Sequence, residues 1–226
     1  METSKGLLTL HFVDKKKLLV EFPVSLMGRE FLLGSKVVET SDMGNGPAGT
    51  MSYTPRHIKF AVVDSTLYMK EVSRTGQNMI FSSSANQNMQ EGLKKNSLST
   101  IVDAFTIAAF NKDSSAVVVD MTSYFVSHTE NMNPFSSGKR TMEYGSGRQA
   151  VKFKDDLSYL MGVKAFEDNV SIISKLTYLM NLSVGGQLVS VDEPVSITVN
   201  RTLLLLPEKP QMRPRLADPR IGIGTV

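Results

Sequence analysis

The chain has 226 residues, 41% of them hydrophobic, with 25 Lys and Arg against 22 Asp and Glu for a net charge of +3. Adding the 16 glycines brings the apolar share to about 48%, the ordinary value for a globular protein, which excludes wholesale disorder and a polytopic membrane protein. The pI of about 9.0 rests on so small an excess of charge that it falls short of a nucleic-acid binder's basic field. The absence of Cys excludes a disulfide scaffold, a thiolate metal site and a cysteine nucleophile.

In chain order, residues 1–6 are polar, and the apolar stretch 7–13 is broken by Thr9 and His11 before Lys15-Lys16-Lys17. That is not a secretory signal, and no run of about 18 apolar residues predicts a membrane span. Leu8, Leu10 and Phe12 alternate with polar residues, as do Leu18, Val20 and Phe22. They predict a hairpin whose loop carries the lysines. Pro23 can start one helical turn, and 31–40 reads as a third strand. Strands 58–63 and 67–72 form a second hairpin around Asp64-Ser65, and 105–110 with 116–121 a third. Val117-Val118-Val119 is a continuous β-branched run, which predicts a strand covered on both faces. Strands 170–182 and 195–206 pair across Gly185-Gly186, with Val195, Ile197 and Val199 alternating with Ser196, Thr198 and Asn200.

Helix is scarce. Residues 86–96 hold helix formers weakened by Gly92, 99–104 reads as a second short helix with Ser99 as N-cap, and 122–126 adds one turn. Two loops stand out, 41–55, rich in Gly and Pro, and 127–149, which lacks a periodic pattern and is expected to be mobile or to project from the core. The fold class is therefore β-dominated α+β. It is a single domain over 1–206, built from successive antiparallel hairpins with two or three short helices. Residues 207–220 hold Pro207, Pro210, Pro214 and Pro219, which exclude regular helix and central strand and predict an extended connector. The apolar stretch 221–226 then reads as the start of a further domain, so 207–226 forms a Pro-rich connector leading out of the β-rich unit.

No catalytic constellation emerges. His11, His57 and His128 are far apart in sequence, so no pair of imidazoles can share one helical turn as a zinc motif of the H-E-x-x-H kind requires. His11 reads as a strand residue on the less apolar face, and His57 as a loop residue beside Pro55. Ser146, between Gly145 and Gly147, lacks the spacing of a nucleophile elbow. Asp155-Asp156 and Glu167-Asp168 are adjacent pairs suited to turns, since neighbouring strand positions face opposite ways. The stretch Gly44-Asn45-Gly46-Pro47-Ala48-Gly49 matches G-x-G-x-x-G but opens no helix, and Gly28 to Lys36 has the wrong spacing for a P-loop. Lys15-Lys16-Lys17, Lys94-Lys95 and Lys139-Arg140 are scattered and lack interleaved aromatics, which predicts solvated surface and no nucleic-acid partner.

Four stretches carry a resemblance. They are Pro23-Val-Ser-Leu-Met-Gly-Arg-Glu-Phe-Leu-Leu33, the segment from Ala104 to Ser115, Val117-Val-Val-Asp-Met-Thr-Ser-Tyr-Phe125, and the Pro-rich close from Leu203 to Gly222. Together they resemble the uncharacterised domain that precedes the catalytic domain in large secreted, metzincin-like zinc metalloproteases of Gram-negative gut bacteria. The resemblance implies a non-catalytic N-terminal accessory domain that packs on the peptidase domain and shapes substrate access. It further implies export to the periplasm, outer membrane or extracellular space, zinc only in the following catalytic domain, and no cofactor or catalytic residue in this chain. The alternative is an independent glycan- or protein-binding module that uses the two long loops.

An interdomain face should be apolar and lie near the connector, whereas a glycan site should gather exposed aromatics. Tyr53, Phe135 and Tyr144 in the loops do not decide between them. Within the connector, Arg213 and Arg215 flank Pro214 and fall on one side of an extended chain, about 7 Å apart. With Asp218 and Arg220 they are the candidate interdomain contacts, suited to carboxylates or carbonyls on the peptidase.

Overall fold

The structure, a computed structural model, describes residues 1–42, 47–51, 54–72, 98–128 and 148–208, together with Gly92, Lys95 and Pro134. Its strands are β1 (Glu2–Lys5), β2 (Thr9–Asp14), β3 (Lys17–Pro23), β4 (Glu30–Thr40), β5 (Arg56–Val63), β6 (Thr66–Glu71), β7 (Thr100–Phe110), β8 (Ala116–Asp120), β9 (Arg148–Phe153), β10 (Tyr159–Ala165), β11 (Asn169–Val184) and β12 (Gln187–Leu205). They form one antiparallel sheet in the order β1-β2-β3-β8-β7-β6-β5-β4-β12-β11-β10, with β9 beside β10 on the same edge of β11.

The two ends of this path meet. Leu7 donates its N–H to the carbonyl of Phe166 at 2.6 Å, and Leu160 donates to the carbonyl of Lys15 at 2.8 Å. The amide of Ala165 donates to Ser4 Oγ at 2.8 Å. The sheet is thereby closed into a barrel along a short seam, which removes edges that would otherwise be open. Gly6 makes the seam possible, because a Cβ there would lie 2.3 Å from the carbonyl oxygen of Phe166.

The alternating residues of the strands point inward and fill the barrel. Phe22, Phe31 and Phe60 form its centre, with ring centroids 4.6–6.0 Å apart. Where β11 and β12 run on past the barrel, a second cluster of Val37, Leu176, Tyr178, Met180, Val195, Ile197 and Val199 continues the core. Gly185 (φ 61°) and Gly186 (φ 83°) both occupy the left-handed region that a tight two-residue hairpin turn needs. They let β11 and β12 turn back on each other with Val184 opposite Gln187.

The expected hairpins all form, and the turn after Pro23 is a 3-10 turn over Val24–Leu26. One α-helix is described over its whole length, α1 (Thr122–Phe125), with a second 3-10 turn at Asp155–Leu157. The helix expected over 99–104 is instead the start of β7. Ile101, Val102 and Thr106 favour a pleated strand, and residues 100–106 pair with β6. Of the 86–96 helix only Gly92 and Lys95 are described, and both are helical. His57 lies within β5 rather than in a loop, because β4 supplies it with a strand partner, Leu32. Val118 is half-buried while Val117 and Val119 are buried, so β8 is covered fully on its inner face alone.

Strands β1, β9 and β10 were not expected. β1 and β10 pair with the strands that follow them but are short and carry no clear apolar alternation, and β9 passes over β10 to pair with β11. The long loop expected over 127–149 lies mostly outside the described residues, and its last two residues, Arg148 and Gln149, already belong to β9. Among the described residues no helix is long and apolar enough to cross a membrane.

Candidate functional site

A polar cleft of about 540 Å³ opens at one end of the barrel, where the β2–β3 turn, β7, α1 and the second 3-10 turn converge. Its walls carry Lys16, Asp103, Asp120, Thr122, Ser123 and Asp155. Asp120 Oδ1 accepts from the Thr122 amide at 2.9 Å and from its hydroxyl at 2.5 Å, satisfying an otherwise orphaned donor at the start of α1. Thr122 Oγ1 in turn accepts the Leu18 amide at 2.8 Å, fastening the helix to β3. Lys16 Nζ donates to the carbonyl of Asp155 at 2.7 Å, and Asp103 accepts the amide of Ala104 at 2.8 Å. The cleft thus offers three carboxylates and one ammonium to a ligand. Ser123 has no described histidine beside it to act as a base.

Beneath α1 lies a second polar feature, in the core. Arg201 on β12 is 1% exposed, and its Nη1 donates to the carbonyls of Tyr124 (3.0 Å) and Phe125 (2.9 Å). These are carbonyls of the last turn of α1, which the helix itself cannot satisfy. The helix is therefore fixed at its start by Asp120 and at its end by Arg201. Burial pushes the Tyr124 phenol from 10.0 up to about 12 and raises that of Tyr178 as well. Burial also lowers the Arg201 pKa, against the opposing influence of the Tyr178 and Tyr124 phenols. A guanidinium nonetheless stays protonated in a protein.

The histidines are dispersed. His11 Nε2 pairs with Glu21 at 2.9 Å on the partly exposed face of β2–β3, as its alternation suggested, and His57 Nε2 pairs with Glu30 at 2.8 Å. His128 stacks edge-on against Tyr178, with centroids 5.8 Å apart. Among the described residues no group of three or more His, Asp or Glu side chains could hold a metal ion. Ser146, Lys139 and Arg140 lie outside the described residues, as do Tyr53, Phe135 and Tyr144. Arg213, Arg215, Asp218 and Arg220 do so too. The connector is described as far as Glu208, and its root is held: Arg29 pairs with Glu208 at 3.1 Å and donates to the carbonyl of Leu206 at 3.2 Å.

The sequence did carry a signal for Arg201. The inward positions 195, 197 and 199 continue with period two to 201, placing a cation where the pattern demands an apolar residue.

The family model for DUF5117, a domain of unknown function, matches residues 49–226, most of the chain. The chain belongs to the DUF5117 family. A second domain of unknown function, DUF5118, matches residues 1–40. The DUF5118 segment supplies β1 to β4, and the DUF5117 segment supplies β5 to β12. Yet β3 pairs with β8, and β4 lies between β5 and β12, so the two segments complete one sheet. No curated protein and no solved structure matches the chain.

Proposed function

We propose that this DUF5117 chain is a non-catalytic accessory domain that docks a neighbouring peptidase domain of the same polypeptide. The neighbour suggested by the sequence resemblance is a zinc metalloprotease exported from a Gram-negative bacterium. The observation that carries the reading is the arm made by the ends of β11 and β12. Leu188, Val189 and Val191 on it are 66%, 64% and 62% exposed, a concentration of apolar surface that marks an interaction site. Pairing between β4 and β12 stops at Ile197, so residues 187–194 have β11 on one side and no strand on the other among the described residues. Such an edge can accept backbone hydrogen bonds from a partner.

The arm lies at the far end of β12 from Leu206, not beside the connector as expected. A neighbour tethered beyond Glu208 would therefore be gripped at two separated places, the connector and the arm. Among the described residues the exposed large aromatics are Phe110 and Phe166, which lie on different elements. The rival reading, a protein- or glycan-binding module, is supported by the polar cleft beside α1.

The test is made in the full-length parent protein. Leu188→Ser with Val191→Ser should expose the arm to added elastase, which can cut after Val184 and Val189, and lower proteolytic activity while leaving the melting temperature within about 1 °C, since exposed substitutions cost little. The same loss is expected from Arg213→Ala with Arg215→Ala. Unchanged activity and unchanged cleavage in both variants would refute docking. Glycan-array binding abolished by Asp120→Ala would favour the rival.

A further inference from the structure

We propose that Arg201 is the centre of a buried binding site for a small planar oxyanion, a carboxylate of the size of formate or acetate. The argument begins with the geometry of the guanidinium. Nη1 is committed to the two α1 carbonyls, whereas Nε and Nη2 are buried and have no hydrogen-bond partner. Those two nitrogens share one edge of the planar group and present parallel N–H bonds, the fork that takes the two oxygens of a carboxylate side-on. Each unmet buried donor is costly, and so is a buried charge without a counter-charge. Arg201 takes part in none of the described ion pairs, and the described titratable side chains acting on it are the phenols of Tyr124 and Tyr178.

The neighbouring strands add donors at the same level. Ser35 on β4 is directly opposite Arg201 in the register, so the two side chains leave the sheet on the same inner face. Ile172 on β11 is opposite Arg201 on its other side, and Ser174 follows two residues later, also facing inward. Ser35 Oγ and Ser174 Oγ are both buried and both lack a partner. Three adjacent strands thus bring an open guanidinium fork and two open hydroxyls to one layer of the core, between the barrel cluster and the β11–β12 cluster. An anion needs donors and positive charge, and this layer supplies both without a described carboxylate. Thr122 and Ser123 of α1 line the polar cleft while its Tyr124 and Phe125 carbonyls are held by Arg201, so release of α1 is the route of entry, and the two packed clusters that flank the layer limit the ligand to a few heavy atoms.

The experiment follows thermal unfolding of the chain in sodium formate and sodium acetate against sodium chloride at matched ionic strength. A saturable rise of several degrees with formate and acetate but not with chloride is expected. Arg201→Lys, which keeps the charge and loses the fork, should abolish that rise, and Ser35→Ala with Ser174→Ala should weaken apparent affinity about tenfold. Because Arg201→Lys alters the anchor of α1, saturation-transfer NMR on the wild-type protein with formate gives an independent readout: transfer to the formate proton, competed by acetate. Equal, non-saturating effects of all three salts with no transfer would overturn the proposal. So would protection of the Arg201 Nε–H in oxyanion-free buffer, which would mark the fork as already filled by another part of the chain.

Discussion

Replacing Gly6 by alanine is expected to open the seam that closes the barrel. A Cβ at this position would sit 2.3 Å from the Phe166 oxygen, 2.7 Å from its nitrogen and 2.8 Å from the Ala165 carbonyl carbon. All three are backbone atoms, so no side chain can swing aside, and the strands must separate by the better part of an ångström. Overpacking of this kind costs roughly 1–3 kcal/mol. Weakening the 2.6 Å bond from Leu7 to Phe166 adds about 1 kcal/mol. A total of about 2–4 kcal/mol corresponds to a fall in melting temperature of roughly 5–15 °C for a chain of this length. Circular dichroism is the suitable probe, since the protein has no Trp. Hydrogen exchange should show the Leu7 amide losing protection ahead of the barrel centre. Gly162→Ala is the control, because nothing lies within 4 Å of a Cβ there, and it should change stability by less than about 1 kcal/mol. If Gly6→Ala melts with the wild type and Leu7 stays protected, the seam is not a closure and the barrel description fails.

Three further outcomes are expected. Because burial raises the Tyr124 pKa from 10.0 to about 12, the folded state holds that proton more tightly than the unfolded chain. The contribution is therefore complete below pH 10 and is lost as pH rises toward about 12, so Tyr124→Phe should flatten the alkaline limb of a stability–pH curve over that window. Thr122→Val removes the acceptor of the Leu18 amide and should cost about 1–3 kcal/mol in urea unfolding, whereas Thr122→Ser, which keeps the hydroxyl, should restore most of it. Phe60→Ala, which empties the middle of the three-ring cluster, should cost about 3–5 kcal/mol in the same assay, and a cost below about 1.5 kcal/mol would mean the rings do not share one core.

Much of the sheet could be read in the chain because its strands are hairpin-linked and alternate. The inward sets Leu18, Val20, Phe22 and Val195, Ile197, Val199 announce themselves with period two, and Gly185-Gly186 marks a turn that needs two left-handed residues. Short strands without such a pattern did not. The four-residue β1 is polar, β10 pairs with the next strand but lacks a clear apolar alternation, and β9 gains its partner from β11 beyond β10, at positions that no local rule specifies. The error at 99–104 has the same origin: a weak local helix preference yielded to pairing with β6.

The candidate site was legible to a smaller degree. Composition excluded cysteine chemistry, and the spacing of the three histidines excluded a helical zinc motif, because both depend on residue identity and local geometry alone. The cleft could not be foreseen. Lys16, Asp103, Asp120 and Asp155 come from four places in the chain, and closure of the sheet is what brings them together. Arg201 stands between these cases. Its period-two position after Val199 carries an inward signal that the sequence reading missed, and only the tertiary structure showed that two nitrogens are spent on no partner and one on the end of α1. Period-two burial is a local property of a strand, written in consecutive residues. The partner of a buried charge is set by strand order and register, and those are decided when the whole sheet closes.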